Sequence, residues 1–238
     1  MSVFHLFRQG LKAAWPICLG YLPIGGAFGV IAGNYGLSVA EIGLMSLLVF
    51  AGSSQFIAVS MLHAGAGLLP VVTTTFVVNL RHLLMSSALA DRLGKVSRPL
   101  GALFAYGITD ESFAVNTARF QDEDWDYGRA LLVNHISNAA WIVSTMLGGA
   151  FGRFIPEGGL GIDYALTAMF LCLLVYQLRN RLHVLVAIVS GILAVLFALW
   201  LPGNAYVILA SVPAAAAGAA LRNTLAREKK GPPVEDPS

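Results

Sequence analysis

Eight apolar runs fill this chain, at approximately 13–33, 41–63, 67–90, 98–117, 129–152, 164–178, 182–201 and 204–222, and nearly every Lys, Arg, Asp and Glu lies between them or at the termini. A helix needs about 20 apolar residues to cross the hydrocarbon core of a bilayer. All but the sixth run meet or approach that length, and the spacing keeps charge in headgroups and water. The 238 residues would suit one or two soluble domains by length, but 57% are hydrophobic and only 12% charged, which excludes a soluble globular class. The expected fold is all-α, a polytopic membrane helix bundle with the lipid bilayer as its solvent. It forms one transmembrane domain over 1–222, followed by a disordered cytoplasmic tail over 223–238.

The net charge of +2 carries no footprint of a nucleic-acid partner. Cys18 and Cys172 sit inside apolar runs without metal-ligand spacing, so they read as small buried hydrophobes and imply no disulfide framework. Arg8 and Lys12 ahead of an apolar stretch resemble the start of a signal peptide. That stretch contains Pro16 and Pro23 and is followed by many further runs, so it reads as an uncleaved first membrane helix.

Basic residues favour the cytoplasmic side of a membrane. Arg8 and Lys12 place the N-terminus there, and Arg222, Arg227, Lys229 and Lys230 place the C-terminus there too. Eight simple crossings would then put Arg92, Lys95 and Arg98 outside. The conflict disappears if the second and sixth runs each enter and leave on one side: Arg92, Lys95, Arg98, Arg153, Arg179 and Arg181 become cytoplasmic, and the acidic stretch Asp122, Glu123, Asp124, Asp126 moves outside. A repeat points the same way. Gly25-Gly26-Ala27-Phe28-Gly29 recurs as Gly148-Gly149-Ala150-Phe151-Gly152, and Gln55 has a counterpart in Gln177, at offsets of 123 and 122. The expected architecture is an inverted repeat with a re-entrant or broken segment in each half, the halves spanning approximately 13–117 and 129–222.

Arg81 in the third run and Asp110 and Glu111 in the fourth are the charges that lie deep within apolar runs. Each costs at least about 2.5 kcal/mol there on insertion scales, so each is expected to be paired. The two runs form an antiparallel pair across the Arg92–Arg98 loop, which sets Arg81 and Asp110 at similar depth, roughly 15–18 Å from that loop at 1.5 Å per residue. An ion pair that only locks two helices fits these residues. So does a binding pair for a zwitterion, in which the Arg81 fork holds a carboxylate and one acid neutralises an ammonium or carries a proton.

Polar residues line these charges at helical spacing: Thr75, Asn79, His82 and Ser86 in one run, and Asn134, Asn138, Trp141 and Thr145 in another. Such stripes are interhelical glue or the lining of a passage. His82 has the chemistry of a proton-coupling group and also of a hydrogen-bonded structural residue. Ala51-Gly52-Ser53-Ser54-Gln55 interrupts the second run. Gly52 tolerates non-helical backbone, and Ser53 or Ser54 is expected to cap a half-helix whose N-terminus is an anion site suited to an amino-acid carboxylate. An uninterrupted helix with these small residues as a packing face fits equally well; the charge placement favours the break. Gly25, Gly29, Gly33, Gly148 and Gly152 read as small-residue faces that let helices approach. No phosphate loop, HExxH, paired-Cys motif or nucleophile elbow is present, so neither an enzyme nor a cofactor is expected.

The Pro-Ile-Gly-Gly-Ala-Phe-Gly run beginning at Pro23, Val49-Phe50-Ala51-Gly52-Ser53-Ser54-Gln55-Phe56, Asn79-Leu80-Arg81-His82 and Thr109-Asp110-Glu111-Ser112-Phe113-Ala114 together resemble the AzlC family, the large subunits of two-component branched-chain amino-acid exporters. The resemblance spans the first through sixth runs. It implies secondary-active export of leucine, isoleucine, valine and methionine across a bacterial inner membrane, driven by the proton motive force or membrane potential, with a small AzlD-like partner of four spans. Asn79, Arg81, His82, Thr109, Asp110, Glu111, Gly52, Ser53 and Gln55 are implied to line the path, joined by Ser54 and Gln177 from the residue reading. Some relatives carry Pro-Phe-Gly where this chain has Pro23-Ile24-Gly25-Gly26, a departure that bears on helix packing. The alternative is a non-transporting membrane scaffold or regulatory subunit whose polar seams serve helix association.

Overall fold

A computed structural model describes residues 3–122, 124–154 and 181–200, with isolated positions between 164 and 178 and between 213 and 220. Regular structure among the described residues is helical: α1 Val3–Asn34, α2 Val39–Val49, α3 Gly52–His63, α4 Leu68–Ala90, α5 Arg98–Tyr106, α6 Asp110–Arg119, α7 Tyr127–Phe151, a single 3-10 turn Gly152–Phe154, and α8 Arg181–Trp200. Two compact units divide the chain, Met1–Phe170 and Leu171–Ser238. The second holds α8, with Gly218 lying against Val186.

Length decides which helices can cross. The helices α1, α4, α7 and α8 are long and apolar enough to span a bilayer. By contrast α2, α3, α5 and α6 have 11, 12, 9 and 10 residues. At 1.5 Å per residue each reaches only about 14–18 Å, roughly half of a hydrocarbon core.

The course of the first unit follows from which residues meet. Along α1 and α7, Gly10 lies against Leu132, Gly25 against Ser144, and Gly29 against Thr145 and Gly149, so the two helices run side by side in the same direction. Their backbones touch: a Cβ on Gly29 would lie 2.0 Å from the Thr145 carbonyl oxygen, and one on Gly148 would lie 2.1 Å from that of Gly26. This is the small-residue interface expected from sequence, and only glycine permits it. Then α2 descends along α7, with Ile42 against Gly149 and Ser46 hydrogen bonded to Thr145. After a break, α3 climbs back beside α1, from Gly52 against Trp141, through Phe56 against Phe28, to His63 stacked on Tyr35. The second apolar run therefore enters and leaves on one face.

From that face α4 descends the full depth, its Val71 packing with Ala58 and Met61 and its Leu89 with Phe104 and Ala130. The α5 helix rises along α7, where Tyr127 donates to the Leu100 carbonyl and Asn134 to that of Phe104. The chain breaks at Gly107–Thr109, and α6 returns to the same face, where Asn116 meets Asn134 and Trp125. This corrects the reading of 98–117 as a single crossing. A tertiary contact and a local cap coincide there: Gly107 lies against Asn134 of α7, where a Cβ would approach to 2.8 Å, and Thr109 with Ser112 starts a new helix through a capping box.

Two further expectations are corrected. The Arg92–Arg98 loop does share a face with the start of α1, but so does the acidic stretch: Leu93, Trp125 and Tyr127 join one cluster, and Arg129 bonds Gln9. The segments carrying the two Gly-Gly-Ala-Phe-Gly motifs are parallel, not inverted. The inversion lies at half that offset, because α2, α3 and α4 are followed by α5, α6 and α7 starting 59, 58 and 59 residues later with every direction reversed. Two such steps restore the direction and give about the offset of the duplicated motif. The sixth and eighth apolar runs and the tail are almost wholly outside the described residues.

Each hairpin implies a labelling pattern. In a background with Cys18 and Cys172 replaced by alanine, Ala40→Cys and Ala64→Cys should react with an impermeant maleimide from one membrane face, and Lys95→Cys and Gln121→Cys from the other. Labelling of Lys95→Cys and Gln121→Cys from opposite faces would make α5–α6 a crossing and overturn the topology.

Candidate functional site

Arg81 sits on α4, about 20 Å along the helix from Leu68 and about 14 Å from Ala90 at 1.5 Å per residue. Both hairpin tips reach it. Its Nη1 lies 2.5 Å from Asp110 Oδ2, at the first residue of α6, and its Nη2 donates to Ser53 Oγ at 2.7 Å, in the first turn of α3. Its Nε is buried without a partner among the described residues. The side chains of Arg81 and Asp110 are 28% and 32% exposed, so the pair is open on one side. Next to it Ser54 donates to Asn79 Oδ1, fastening the α3 tip to α4 a second time.

The tips owe their position to backbone that departs from the helix. Phe50 ends α2 at φ 37°, a left-handed conformation that strains a bulky residue. Its ring is buried with an edge toward Tyr21, 6.4 Å between centroids, and this packing holds the strain. The N-cap of α3 is Ala51, not Ser53 or Ser54 as expected, and no side chain caps it. Its leading amides and positive dipole end therefore stay available at mid-depth. At the other tip Asp110 and Glu111 occupy the first turn of α6, where carboxylates offset the helix dipole.

Tyr21 joins this group from α1, and sequence reasoning missed it. Its hydroxyl lies 2.8 Å from Glu111 Oε2 and 2.9 Å from Thr109 Oγ1, hydrogen bonded to both. Its ring meets Trp141 edge-on at 5.2 Å. A tyrosine in an apolar run gives no signal of its own, but Tyr21, Gly25 and Gly29 stand at i, i+4 and i+8, which puts its ring on the face turned to α7.

The structure sorts the expected residues into two sets. Gly52, Ser53, Ser54, Asn79, Arg81, Thr109, Asp110 and Glu111 come together at the tips. Fully buried Gln55 belongs to a brace instead: its Nε2 donates to Ser46 at 3.0 Å, its Oε1 accepts from Trp141 Nε1 at 2.9 Å, and Ser46 bonds Thr145 at 2.8 Å. Asn134 likewise links Phe104 and Asn116. His82 is half-buried next to Arg81 in sequence, and Gln177 lies outside the described residues. A concavity of about 340 Å³ lies between the last turns of α4 and α5, lined by Ser86, Ala90, Leu93, Gly101 and Phe104, toward the face where α1 begins. A planar guanidinium beside an uncapped helix N-terminus suits a carboxylate ligand, and the two acids suit a cation.

The family model described as AzlC protein matches residues 16–155. An uncharacterized membrane protein of Archaeoglobus fulgidus is 35% identical over 200 residues, covering 83% of this chain and 87% of that protein. The inner membrane protein YgaZ of Escherichia coli is 30% identical over 198 residues, covering 79% and 81%. The branched-chain amino acid transport protein AzlC of Bacillus subtilis is 29% identical over 188 residues, covering 76% and 72%. No solved structure matches the chain.

The brace makes a prediction of its own. Gln55→Leu strips the buried Trp141 Nε1 of its partner and Ser46 of one of its two, so it should destabilise the purified protein by about 1–3 kcal/mol, read as a lower thermal midpoint in detergent. An unchanged midpoint would deny Gln55 that role.

Proposed function

The chain belongs to the AzlC family, a family of membrane transport proteins, and on that premise we propose that it exports branched-chain and similar neutral hydrophobic amino acids by secondary-active transport. One observation carries the reading: a guanidinium at mid-depth, held by the tips of two hairpins that enter from opposite faces. The substrate carboxylate takes the Arg81 fork, assisted by the α3 N-terminus with Ser53, while Asp110 or Glu111 meets the ammonium or a proton. Apolar helix faces accept leucine, isoleucine, valine or methionine side chains.

The face bearing Arg8, Lys12, Arg92, Lys95 and Arg98 is cytoplasmic by the distribution of basic residues. The concavity between α4 and α5 opens toward that face, supporting entry of substrate there. A small AzlD-like subunit of four spans completes the exporter in the bacterial inner membrane.

Cells loaded with a branched-chain dipeptide test the function. Leucine efflux should rise when this chain and its partner are expressed; equal efflux with and without them would sink the assignment. Arg81→Ala and Asp110→Asn should each cut efflux roughly tenfold or more while the protein still purifies as a folded species. Full efflux by either variant would leave that residue as a helix lock, and loss of assembly without any effect on solute flux would favour a scaffold.

A further inference from the structure

The cluster at the hairpin tips holds one cation and two acids. Arg81 engages Asp110 and Ser53, whereas the polar contacts found for Glu111 are uncharged: the Tyr21 hydroxyl touches it directly and Thr109 stands behind. With both acids ionised and the neighbouring His82 neutral, the cluster carries one uncompensated negative charge at mid-depth, which is costly in a bilayer. A zwitterion cannot relieve this, since it brings no net charge. A proton can.

We propose that Glu111 is the side chain that takes up and releases a proton during transport, with Tyr21 and Thr109 as its positioning residues. This rests on the transport reading above and assigns one of its two acids. The geometry provides for both states. With Glu111 ionised, the phenol donates to Oε2 and accepts from the Thr109 hydroxyl. With Glu111 protonated, the carboxyl donates to the phenol, which turns and donates to Thr109. Both hydrogen bonds of the buried Tyr21 hydroxyl survive the exchange, so neither state leaves it unpaired. Only O–H bonds form and break: the proton arrives from water on one face, joins the carboxylate, and leaves to water on the other.

Thr109 also accepts from the Ser112 amide at 3.3 Å, in the capping box that starts α6. Its own proton points to the phenol when Glu111 is ionised and is free for Ser112 Oγ, 3.5 Å away, when Glu111 is protonated, so the charge state of Glu111 reaches the start of α6. The other titratable groups around it are few. Tyr21 comes from α1, Arg81 and His82 from α4, and Asp110 from α6 itself; α3 carries none before His63 at its far end, and on α7 His135 stands against Tyr106 of α5.

Proteoliposomes containing the complete exporter separate the coupling from the transport. In the wild type, leucine exchange should run without a pH gradient and net leucine flux should follow one. Glu111→Gln should lower the ratio of gradient-driven net flux to exchange about tenfold or more, a selective loss worth at least about 1.4 kcal/mol. Tyr21→Phe should shift the pH at which net flux is half-maximal. Difference infrared spectra should contain a protonated-carboxyl band that Glu111→Gln removes. An unchanged flux ratio, equal loss of both fluxes, or persistence of that band would overturn the proposal. A wild type that exchanges no leucine would instead overturn the transport reading, and the proposal with it.

Discussion

A guanidinium halfway through a bilayer must be compensated, and compensation for Arg81 comes from outside its own helix. The α4 helix crosses the full depth and presents the charge about where the hydrocarbon is thickest. Two short hairpins reach it from opposite faces, one offering a hydroxyl from an uncapped helix start and the other a carboxylate. Neither hairpin arm is long enough to cross. What fixes how far each penetrates is the polar contact at its tip, because lipid supplies no hydrogen bonds to a broken helix end.

The inversion relating α2–α4 to α5–α7 explains why one residue collects both tips. Each unit consists of a half-depth hairpin followed by a full crossing, and reversing the direction of the second brings the two hairpins together at the middle. Around this polar centre the packing is dense. Glycines let the α1 and α7 backbones touch, and the brace of Gln55, Trp141, Ser46 and Thr145 binds α3 to α2 and α7. The centre can therefore remain partly open without the surrounding helices separating.

Much of this was legible in the sequence, for identifiable reasons. Charge in an apolar run is rare, so Arg81, Asp110 and Glu111 announced themselves, and helical rise set them at one depth. Gly52 with two serines allowed either a break or a continuous packing face, and the placement of the basic residues favoured the break. The second hairpin stayed hidden: Gly107 stands in an apolar stretch of ordinary length, and what breaks it there is the close approach of Asn134 on a helix whose neighbour no local pattern reveals. The duplicated glycine motif implies an inversion only if 98–117 is one crossing, and the reversal between α5 and α6 restores the parallel direction. Tyr21 was overlooked for a similar reason, since its importance lies in the partners that α6 brings.

The attraction between Arg81 of α4 and Asp110 of α6 holds the α5–α6 tip at mid-depth, and exchanging the two charges tests it most directly. Arg81→Asp and Asp110→Arg should each lower the thermal midpoint of the purified protein, and the double exchange should recover much of that loss, with a coupling of about 0.5–3 kcal/mol. Losses that simply add would mean that the two side chains do not hold each other, and that the α5–α6 hairpin is positioned by something else.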